Sequence, residues 1–212
     1  KKIIKIFGKK YLNPTKITIP GDPSSASFFT ALTILNKNSH LLIKKVGLNP
    51  TRIGFYELLK KHGAKIKFIN KRILGNEIIG DIEVKSGKLK RPIIASKEFY
   101  ERTTDEFPIL FCISALTNGV SIFRGIEDLA NKESNRITEM QKVLKQAGVK
   151  SIAKKNEMKI FGKKNINNKN KKIFVPNLGD HRICMSSTVL SLITGIETKI
   201  KNFETVKTSS PN

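Results

Sequence analysis

Residues 105–136 read DEFPILFCISALTNGVSIFRGIEDLANKESNR, and this stretch decides the fold prediction for the chain. An acidic pair followed by Pro108 opens an apolar run that extends to Leu116, which predicts a buried helix. The Asn-Gly dipeptide at 118–119 predicts a turn, and the alternating apolar residues at 120–124 predict a strand. A polar loop follows, so the stretch predicts a helix, a strand and a loop in that order.

The loop ends in KESNR at 132–136, directly before an amphipathic helix pattern at 137–147 that Gly148 closes. The free backbone amides and the positive dipole end at the start of a helix favour an anion. Glu133 lies between two cations, and an anion site gains from a carboxylate only if that group orients a neighbour or moves a proton. A solvated, salt-bridged start of a helix is the alternative interpretation.

The same order of elements occurs earlier in the chain. Asp22 and Pro23 predict the start of a helix before an apolar run, and residues 41–46 predict a strand. The loop NPTR then ends at Arg52, and a second helix pattern closes at Gly63. This is a first copy of the unit.

The order begins a third time at Asp180-His181-Arg182, before an apolar helix pattern and a strand pattern around 199–203. The leading aspartate and the arginine are 30 residues apart in the first unit, and Asp105 and Arg136 are 31 apart in the second. A third arginine or its equivalent is therefore expected near position 211, and we predict that the third unit is truncated.

Two further segments have simple patterns. Residues 3–7 and 16–19 alternate between polar and apolar types and predict short strands. Residues 163–172 are almost entirely Asn and Lys, which predicts a mobile surface loop, with a short strand at 172–175 after it.

The charge of the chain is strongly positive. Its 212 residues include 40 Lys and Arg against 17 Asp and Glu, a formal net charge of +23, which is typical of nucleic-acid-binding proteins. Only seven of the basic residues are arginine, and the lysines are scattered among Asn and Ile without interleaved aromatic residues. We interpret the charge as a compositional bias, and a basic nucleic-acid-binding module is the alternative.

The cysteines and the apolar runs indicate the compartment. Cys112 and Cys184 lie in apolar runs without the spacing of metal ligands, so we expect buried free thiols in a reducing compartment and no metal site. The longest apolar run, 107–116, is too short to span a bilayer, and the first residues lack the pattern of a secretory signal. The sequence predicts a cytoplasmic protein.

Equivalent loops of similar units are expected on one side of a domain, where they would form a site. Such a site would combine cations that hold an anion with two carboxylates in different electrostatic environments and one histidine. The candidate site residues are Asp105, Lys132, Glu133, Arg136, His181 and Arg182.

Several of these residues have simpler interpretations. Asp105 could serve only to cap its helix, and Asp180 is more simply a cap or a partner for Arg182 than a catalyst. His181 could be a structural histidine whose hydrogen bonds are satisfied. Arg52 could order only its own helix start.

The motifs GDPSSA, NPTR-G, DE-P, KES-R and GDHR occur in this order over essentially the whole chain. Together they resemble the C-terminal half of the 5-enolpyruvylshikimate-3-phosphate (EPSP) synthase family, also called 3-phosphoshikimate 1-carboxyvinyltransferases. The resemblance implies an α/β (α+β) fold of repeated βαβαββ units that form one domain of an inside-out α/β barrel. It divides the chain into residues 1–19, the tail of a missing N-terminal domain, and residues 20–212, the C-terminal domain of three similar units.

The activity implied by the resemblance is transfer of the enolpyruvyl group of phosphoenolpyruvate to the 5-hydroxyl of shikimate 3-phosphate, through a tetrahedral adduct and with release of phosphate. The family uses no metal or organic cofactor. The resemblance also implies a chain that is monomeric at full length, with both substrates bound between two domains. Without the other domain, these residues are expected to bind poorly and to catalyse nothing.

Roles are implied residue by residue. Asp105 resembles the aspartate that accepts the proton of the target hydroxyl, and Glu133 the glutamate that exchanges a proton at the methylene carbon of phosphoenolpyruvate. Lys132 resembles a lysine on the shikimate phosphate side of the cleft. The residues that resemble the phosphoenolpyruvate-binding group are Arg136, His181 and Arg182.

The chain departs from the family pattern at three positions. Ala130 stands where an arginine is usual, Asn135 where an aspartate is usual, and Ser210 where an aromatic residue is common, so the ion pairing of the loop is expected to differ. A second enzyme alternative is the related transferase that acts on UDP-N-acetylglucosamine, which is not expected to combine KES-R with DHR.

Overall fold

The structure is a computed structural model that describes residues 3–87 and 89–210. Helices and strands alternate along the chain. The α-helices are α1 Pro23–Leu35, α2 Gly54–Lys61, α3 Phe107–Ala115, α4 Arg136–Gln146 and α5 His181–Thr194. The strands are β1 His40–Gly47, β2 Lys65–Leu74, β3 Glu77–Lys85, β4 Ile94–Ala95, β5 Gly119–Arg124, β6 Ser151–Lys154, β7 Glu157–Gly162, β8 Lys172–Val175 and β9 Glu197–Ile200.

The strands form three sheets with one common topology. The orders are β1-β3-β2, β4-β5-β7-β6 and β8-β9. In the second sheet β4 is parallel to β5 across the helix α3, and in the third β8 is parallel to β9 across α5. The first sheet has a single parallel bridge, Gly21 to Val46, at the equivalent place. The predicted α/β fold of repeated βαβαββ units is confirmed.

Three central helices form the core, and the sheets lie around them. Helices α1, α3 and α5 contact one another, and all nine residues of α3 are buried. The sequence FPILFCISA has no polar face, which suits a helix enclosed on all sides. Phe107, Phe111 and Phe123 pack with ring centroids 5.0–6.0 Å apart beneath β5. This inside-out arrangement directs the starts of the central helices towards one end of the molecule.

Two of the three central helices begin as predicted. Asp22 caps α1 by accepting a hydrogen bond from the Ser25 amide at 2.8 Å, with Pro23 at the first helical position. Asp180 caps α5 by accepting from the Arg182 amide at 2.9 Å. The predicted cap role of Asp180 is therefore confirmed.

The third helix begins differently. A 3-10 turn, Thr104–Glu106, precedes α3, and Glu106 takes the cap position without a capping hydrogen bond from its side chain. The alternative that Asp105 only caps its helix is therefore wrong. Glu106, one residue after Asp105, is the counterpart of Asp22 in the first unit. Glu106 and Arg136 are 30 residues apart, as are Asp22 and Arg52. The tight turn buries Glu106 and leaves the carboxylate of Asp105 free to reach another loop.

Several sequence predictions need correction. The strands predicted at 3–7 and 16–19 do not form, because no strand of the described residues lies beside them, and Ile4, Ile6 and Ile19 are exposed. The strand after Gly148 begins at Ser151, and the last strand ends at Ile200. The surface position of the loop after β7 and the strand β8 are as predicted, and the mobility of that loop stays a prediction. Cys112 and Cys184 are buried free thiols.

Two further points concern the limits of the chain. The equivalent expected near position 211 lies outside the described residues. In the part of the chain that the structure describes, no helix has both the length and the apolar composition needed to cross a membrane.

Candidate active site

Arg136 is the centre of the candidate site. It is the first residue of α4, its exposed fraction is 1%, and its guanidinium is surrounded by three carboxylates. Nε donates to Asp180 at 3.0 Å, Nη1 to Asp105 at 3.2 Å and Nη2 to Glu133 at 2.5 Å. These bonds join residues from three separate segments of the chain.

The pair of Arg136 and Asp180 is fully withdrawn from solvent. Burial alone would lower the pKa of Arg136, but the hydrogen bond and charge of Asp180 outweigh it, and the pKa is raised. Burial would likewise raise the pKa of Asp180, but Arg136 and the Ser134 hydroxyl, which donates at 2.9 Å, lower it. Both groups are therefore held in their charged forms.

The two candidate catalytic carboxylates lie at the surface of this cluster. The side chains of Asp105 and Glu133 are 40% and 45% exposed, in contrast to the buried Asp180. Each accepts one bond from Arg136 and keeps part of its carboxylate open to solvent. They are the most exposed members of the cluster.

Arg182 has donors that nothing in the described protein uses. Its Nη2 lies 3.7 Å from Asp105, and its guanidinium lies 5.9 Å from the centre of the Phe28 ring. Nε and Nη1 are buried without a hydrogen-bond partner, although unpaired buried donors are rare in proteins. The position on the first turn of α5 adds the positive end of the helix dipole. This arrangement is suited to a bound anion.

His181 lies at the edge of the cluster. Its Nδ1 is 4.0 Å from Glu133, and burial, with the nearby charge of Arg182, lowers its pKa from 6.5. The imidazole is therefore mostly neutral near pH 7, where it can donate or accept a hydrogen bond but carries little charge.

The side chain of Lys132 forms no ion pair with the other candidate residues. Its Nζ lies 3.7 Å from Asp128, whose carboxylate also accepts a hydrogen bond from Tyr100 at 2.9 Å. Burial and this carboxylate raise the pKa of Tyr100, so the phenol remains a donor. Tyr100 lies in the segment that leads to Asp105, and so Asp128 connects that segment to the KESNR loop.

Glu106 lies beside these residues, although the sequence analysis did not single it out. It is 3% exposed and has a pKa raised to about 7, mainly by burial, while the nearby Ser24 hydroxyl lowers that pKa. The Ser24 hydroxyl accepts a hydrogen bond from Arg52 at 3.2 Å. The 30-residue spacing from Glu106 to Arg136 could have identified this residue, because the same spacing relates Asp22 to Arg52.

The structure thus brings the three predicted segments together. Ionic contacts connect Asp105, Glu133, Arg136 and Arg182, and the His181 ring lies 4.0 Å from Glu133. Lys132 is close to this group because it directly precedes Glu133 in the sequence. In the described residues no three His, Cys, Asp or Glu side chains are grouped to hold a metal ion. The cluster is equipped to bind an anion and to exchange protons.

Comparison with known proteins identifies the family. Residues 1–212 match the family model described as EPSP synthase (3-phosphoshikimate 1-carboxyvinyltransferase). The 3-phosphoshikimate 1-carboxyvinyltransferase of Zymomonas mobilis is 37% identical over 99% of this chain and 47% of its own length. The enzyme of the same name from Petrotoga mobilis is 39% identical over 95% of this chain and 46% of its own.

Solved structures agree with this match. EPSP synthase from Acinetobacter baumannii superimposes with a TM-score of 0.84 and 32% identity, over 95% of this chain and 46% of that chain. The enolpyruvyl transferase NikO from Streptomyces tendae has a TM-score of 0.60 at 13% identity, over 86% of this chain and 39% of that chain, and shares the fold. The chain spans about half the length of the curated relatives it matches. It belongs to the EPSP synthase family.

Proposed function

We propose that this chain is the C-terminal part of an enzyme that transfers the enolpyruvyl group of phosphoenolpyruvate to the 5-hydroxyl of shikimate 3-phosphate. The observation that carries the proposal is the pair of unbonded Arg182 donors beside two reachable carboxylates. Phosphoenolpyruvate offers a phosphate and a carboxylate, the groups that a guanidinium binds best. The names of the relatives support this substrate pair over a UDP-sugar.

The proposed chemistry assigns one proton transfer to each exposed carboxylate. In the addition step, the methylene carbon of phosphoenolpyruvate gains a proton from Glu133, and the substrate hydroxyl attacks the neighbouring carbon while Asp105 accepts its proton. In the elimination step, the bond to phosphate breaks and the methyl carbon returns a proton to Glu133. Two carboxylates are needed because one must begin as an acid and the other as a base.

Arg136 would have to exchange partners during this cycle. Its donors are already occupied by Asp180, Glu133 and Asp105. The bond to buried Asp180 is the costly one to break, whereas Glu133 and Asp105 can turn towards solvent. An arriving anion would therefore replace these two carboxylates on Arg136 and release them for proton transfer.

The remaining roles concern binding. Lys132 would leave Asp128 and bind the phosphate of shikimate 3-phosphate, and His181 would donate a hydrogen bond beside Arg182. The partner that completes the cleft is the other half of the enzyme, and residues 3–19 would pack against it, which accounts for their exposed apolar side chains. A cytoplasmic location fits the buried free thiols. We expect the full-length enzyme to be monomeric.

Binding tests the proposal on this chain alone. Phosphoenolpyruvate added to isotope-labelled protein should shift the backbone amide signals of His181 and Ile183, which flank Arg182, with the weak affinity expected of half a cleft. Arg182→Gln should abolish the effect, while the matched control Arg91→Gln should preserve it, because Arg91 donates to Lys61 in the first unit. Equal binding by both variants would contradict the assignment.

Turnover tests the reaction. The chain can be joined to the half of the Zymomonas mobilis enzyme that it does not span. We expect phosphate release that requires both substrates, and we expect Arg182→Lys to weaken phosphoenolpyruvate binding more than shikimate 3-phosphate binding. The reverse ranking would refute the role of Arg182.

A further inference from the structure

Asp128 contacts two residues through one carboxylate oxygen. Its Oδ2 accepts a hydrogen bond from the Tyr100 hydroxyl at 2.9 Å and lies 3.7 Å from Nζ of Lys132. A partly exposed ion pair between residues four apart, such as Asp128 and Lys132, is normally weak and has no particular role. The hydrogen bond from Tyr100 makes this pair different, because it comes from another segment of the chain and fixes the position of the carboxylate.

Tyr100 is itself held in place by several contacts. Its ring packs on that of Phe107, with the centroids 5.6 Å apart. Its carbonyl oxygen accepts hydrogen bonds from the Thr103 amide at 3.1 Å and from the Thr104 hydroxyl at 2.8 Å, both in the turn before α3. Burial and the contact with Asp128 raise the pKa of the phenol, which therefore remains a donor at neutral pH. The hydroxyl thus holds the Asp128 carboxylate at a defined place.

A fixed carboxylate affects what Lys132 can bind. In the described residues Asp128 is the carboxylate with which Lys132 forms an ion pair. A phosphate that binds Lys132 must compete with this carboxylate for the ammonium group, and the two anions also repel each other. A carboxylate without other bonds could turn towards solvent when the phosphate arrives. The hydrogen bond from Tyr100 opposes that rotation.

We propose that Asp128, held in place by Tyr100, is a positioning residue that competes with the phosphate of shikimate 3-phosphate for Lys132 and thereby limits the affinity of this side of the site. No covalent bond changes when Lys132 moves from the carboxylate to the phosphate. The inference rests on the proposed function for the assignment of Lys132 to this phosphate.

A limit on this affinity has a use in the proposed reaction. The enolpyruvyl group is transferred to the 5-hydroxyl, so the 3-phosphate is unchanged in the substrate, the transition state and the product. Binding that is equally strong in all three does not accelerate the chemical step. Weaker binding of the phosphate favours release of the product.

Removal of the charge on Asp128 tests the competition. The 212-residue chain is titrated with shikimate 3-phosphate, and with shikimate as the control that lacks the phosphate, and the backbone amide signals of Lys132 and Glu133 report binding. Asp128→Asn keeps an oxygen that can accept from Tyr100. We expect this variant to bind shikimate 3-phosphate about two- to fivefold more tightly, the range that a partly exposed ion pair provides, and shikimate as before. Structural damage would weaken binding, and equal or weaker binding of shikimate 3-phosphate would overturn the inference.

Removal of one hydroxyl tests the role of Tyr100. Tyr100→Phe keeps the packing on Phe107 but frees the Asp128 carboxylate to turn away, so affinity for shikimate 3-phosphate should rise about twofold. In the double variant with Asp128→Asn, affinity should not exceed that of Asp128→Asn alone, because both changes act on the same carboxylate. Tyr56→Phe, which loses a hydrogen bond to the Pro23 carbonyl at 2.6 Å in the first unit, is the matched control and should have no effect. Weaker binding by Tyr100→Phe would overturn its positioning role.

Lys132→Gln separates failure of the inference from failure of the proposed function. It should weaken binding of shikimate 3-phosphate, and the gain from Asp128→Asn should largely disappear in this background. Unchanged binding by Lys132→Gln, or no shift of the two amide signals in the wild-type chain, would overturn the placement of the phosphate at Lys132 and the inference with it. Weaker binding by Lys132→Gln without a gain from Asp128→Asn would overturn the inference alone.

Discussion

Arg136 and Asp180 face each other almost out of contact with solvent, at 3.0 Å between Nε and Oδ2 and 3.4 Å between Nη2 and Oδ1. One begins the second helix of the second unit, and the other caps the first helix of the third. The pair therefore joins two repeats beneath the candidate site. It also fixes the guanidinium to which Asp105 and Glu133 bind.

Loss of this pair should be costly. Asp180→Ala removes a buried charge partner and a helix cap, and we expect the free energy of unfolding to fall by about 3–5 kcal/mol. Urea denaturation followed by circular dichroism measures the change. The matched control is Glu157→Ala, whose partner Arg124 is largely exposed, with an expected loss of about 1 kcal/mol or less. Similar losses in both variants would contradict the central role of the buried pair.

Glu133→Gln tests the proton transfer at the methylene carbon. In the chimeric enzyme, we expect substrate dissociation constants within about threefold of the wild type and a fall in kcat of about 100-fold or more, because the amide accepts hydrogen bonds but cannot supply the proton. Steady-state phosphate release and equilibrium binding provide the two values. Glu139→Gln, on α4 and paired with Lys142, is the control. Unchanged turnover in the Glu133 variant would remove its assigned role.

Gly54 should resist replacement. A Cβ at this position would lie 2.7 Å from the carbonyl oxygen of Arg102, which already accepts a hydrogen bond from the Gly54 amide at 3.1 Å. Gly54→Ala should displace the segment that leads to Asp105 and lower the free energy of unfolding by about 1–3 kcal/mol. Thermal and urea unfolding test this. Gly8→Ala meets no atom within 4 Å and should be neutral.

His62 should make stability depend on pH below neutrality. Its Nδ1 bonds to the Leu58 carbonyl at 2.7 Å, and its Nε2 accepts from the Ile94 amide at 3.1 Å, so the folded state requires the neutral ring. Burial, together with the charges of Arg91 and Lys61, lowers its pKa. The unfolded chain therefore takes up the proton first, and the contribution of His62 is full above about pH 6.5 and declines as pH falls towards the folded-state pKa.

The His62→Gln variant isolates this contribution. The amide can approximate both hydrogen bonds without titrating, so its free energy of unfolding should fall less than that of the wild type between pH 6.5 and pH 5. The pKa of His181 is also lowered, and its contribution remains in both proteins and cancels in the comparison. Parallel stability curves for the two proteins would contradict the prediction.

The sequence correctly predicted those helix ends that depend on residues only a few positions away. Asp22-Pro23, Gly63 and Gly148 mark helix ends through capping and positive φ angles, which act within a few residues. The 3-10 turn before α3 was missed because TTDE has no distinctive local pattern and depends on the burial of Glu106. At residues 3–7 the sequence predicted a strand that does not form. An alternating pattern gives a strand only beside a partner strand.

The sequence by itself determined the repeated unit, the buried central helices and the residue types that gather at their starts. It did so because periodicity, caps and glycines act over short distances. Only the tertiary structure decided that Arg136 donates hydrogen bonds to three carboxylates while two donors of Arg182 have no partner. It also decided that Glu106 is buried. Such pairing depends on distances between segments that lie 30 to 80 residues apart, and no local pattern encodes them.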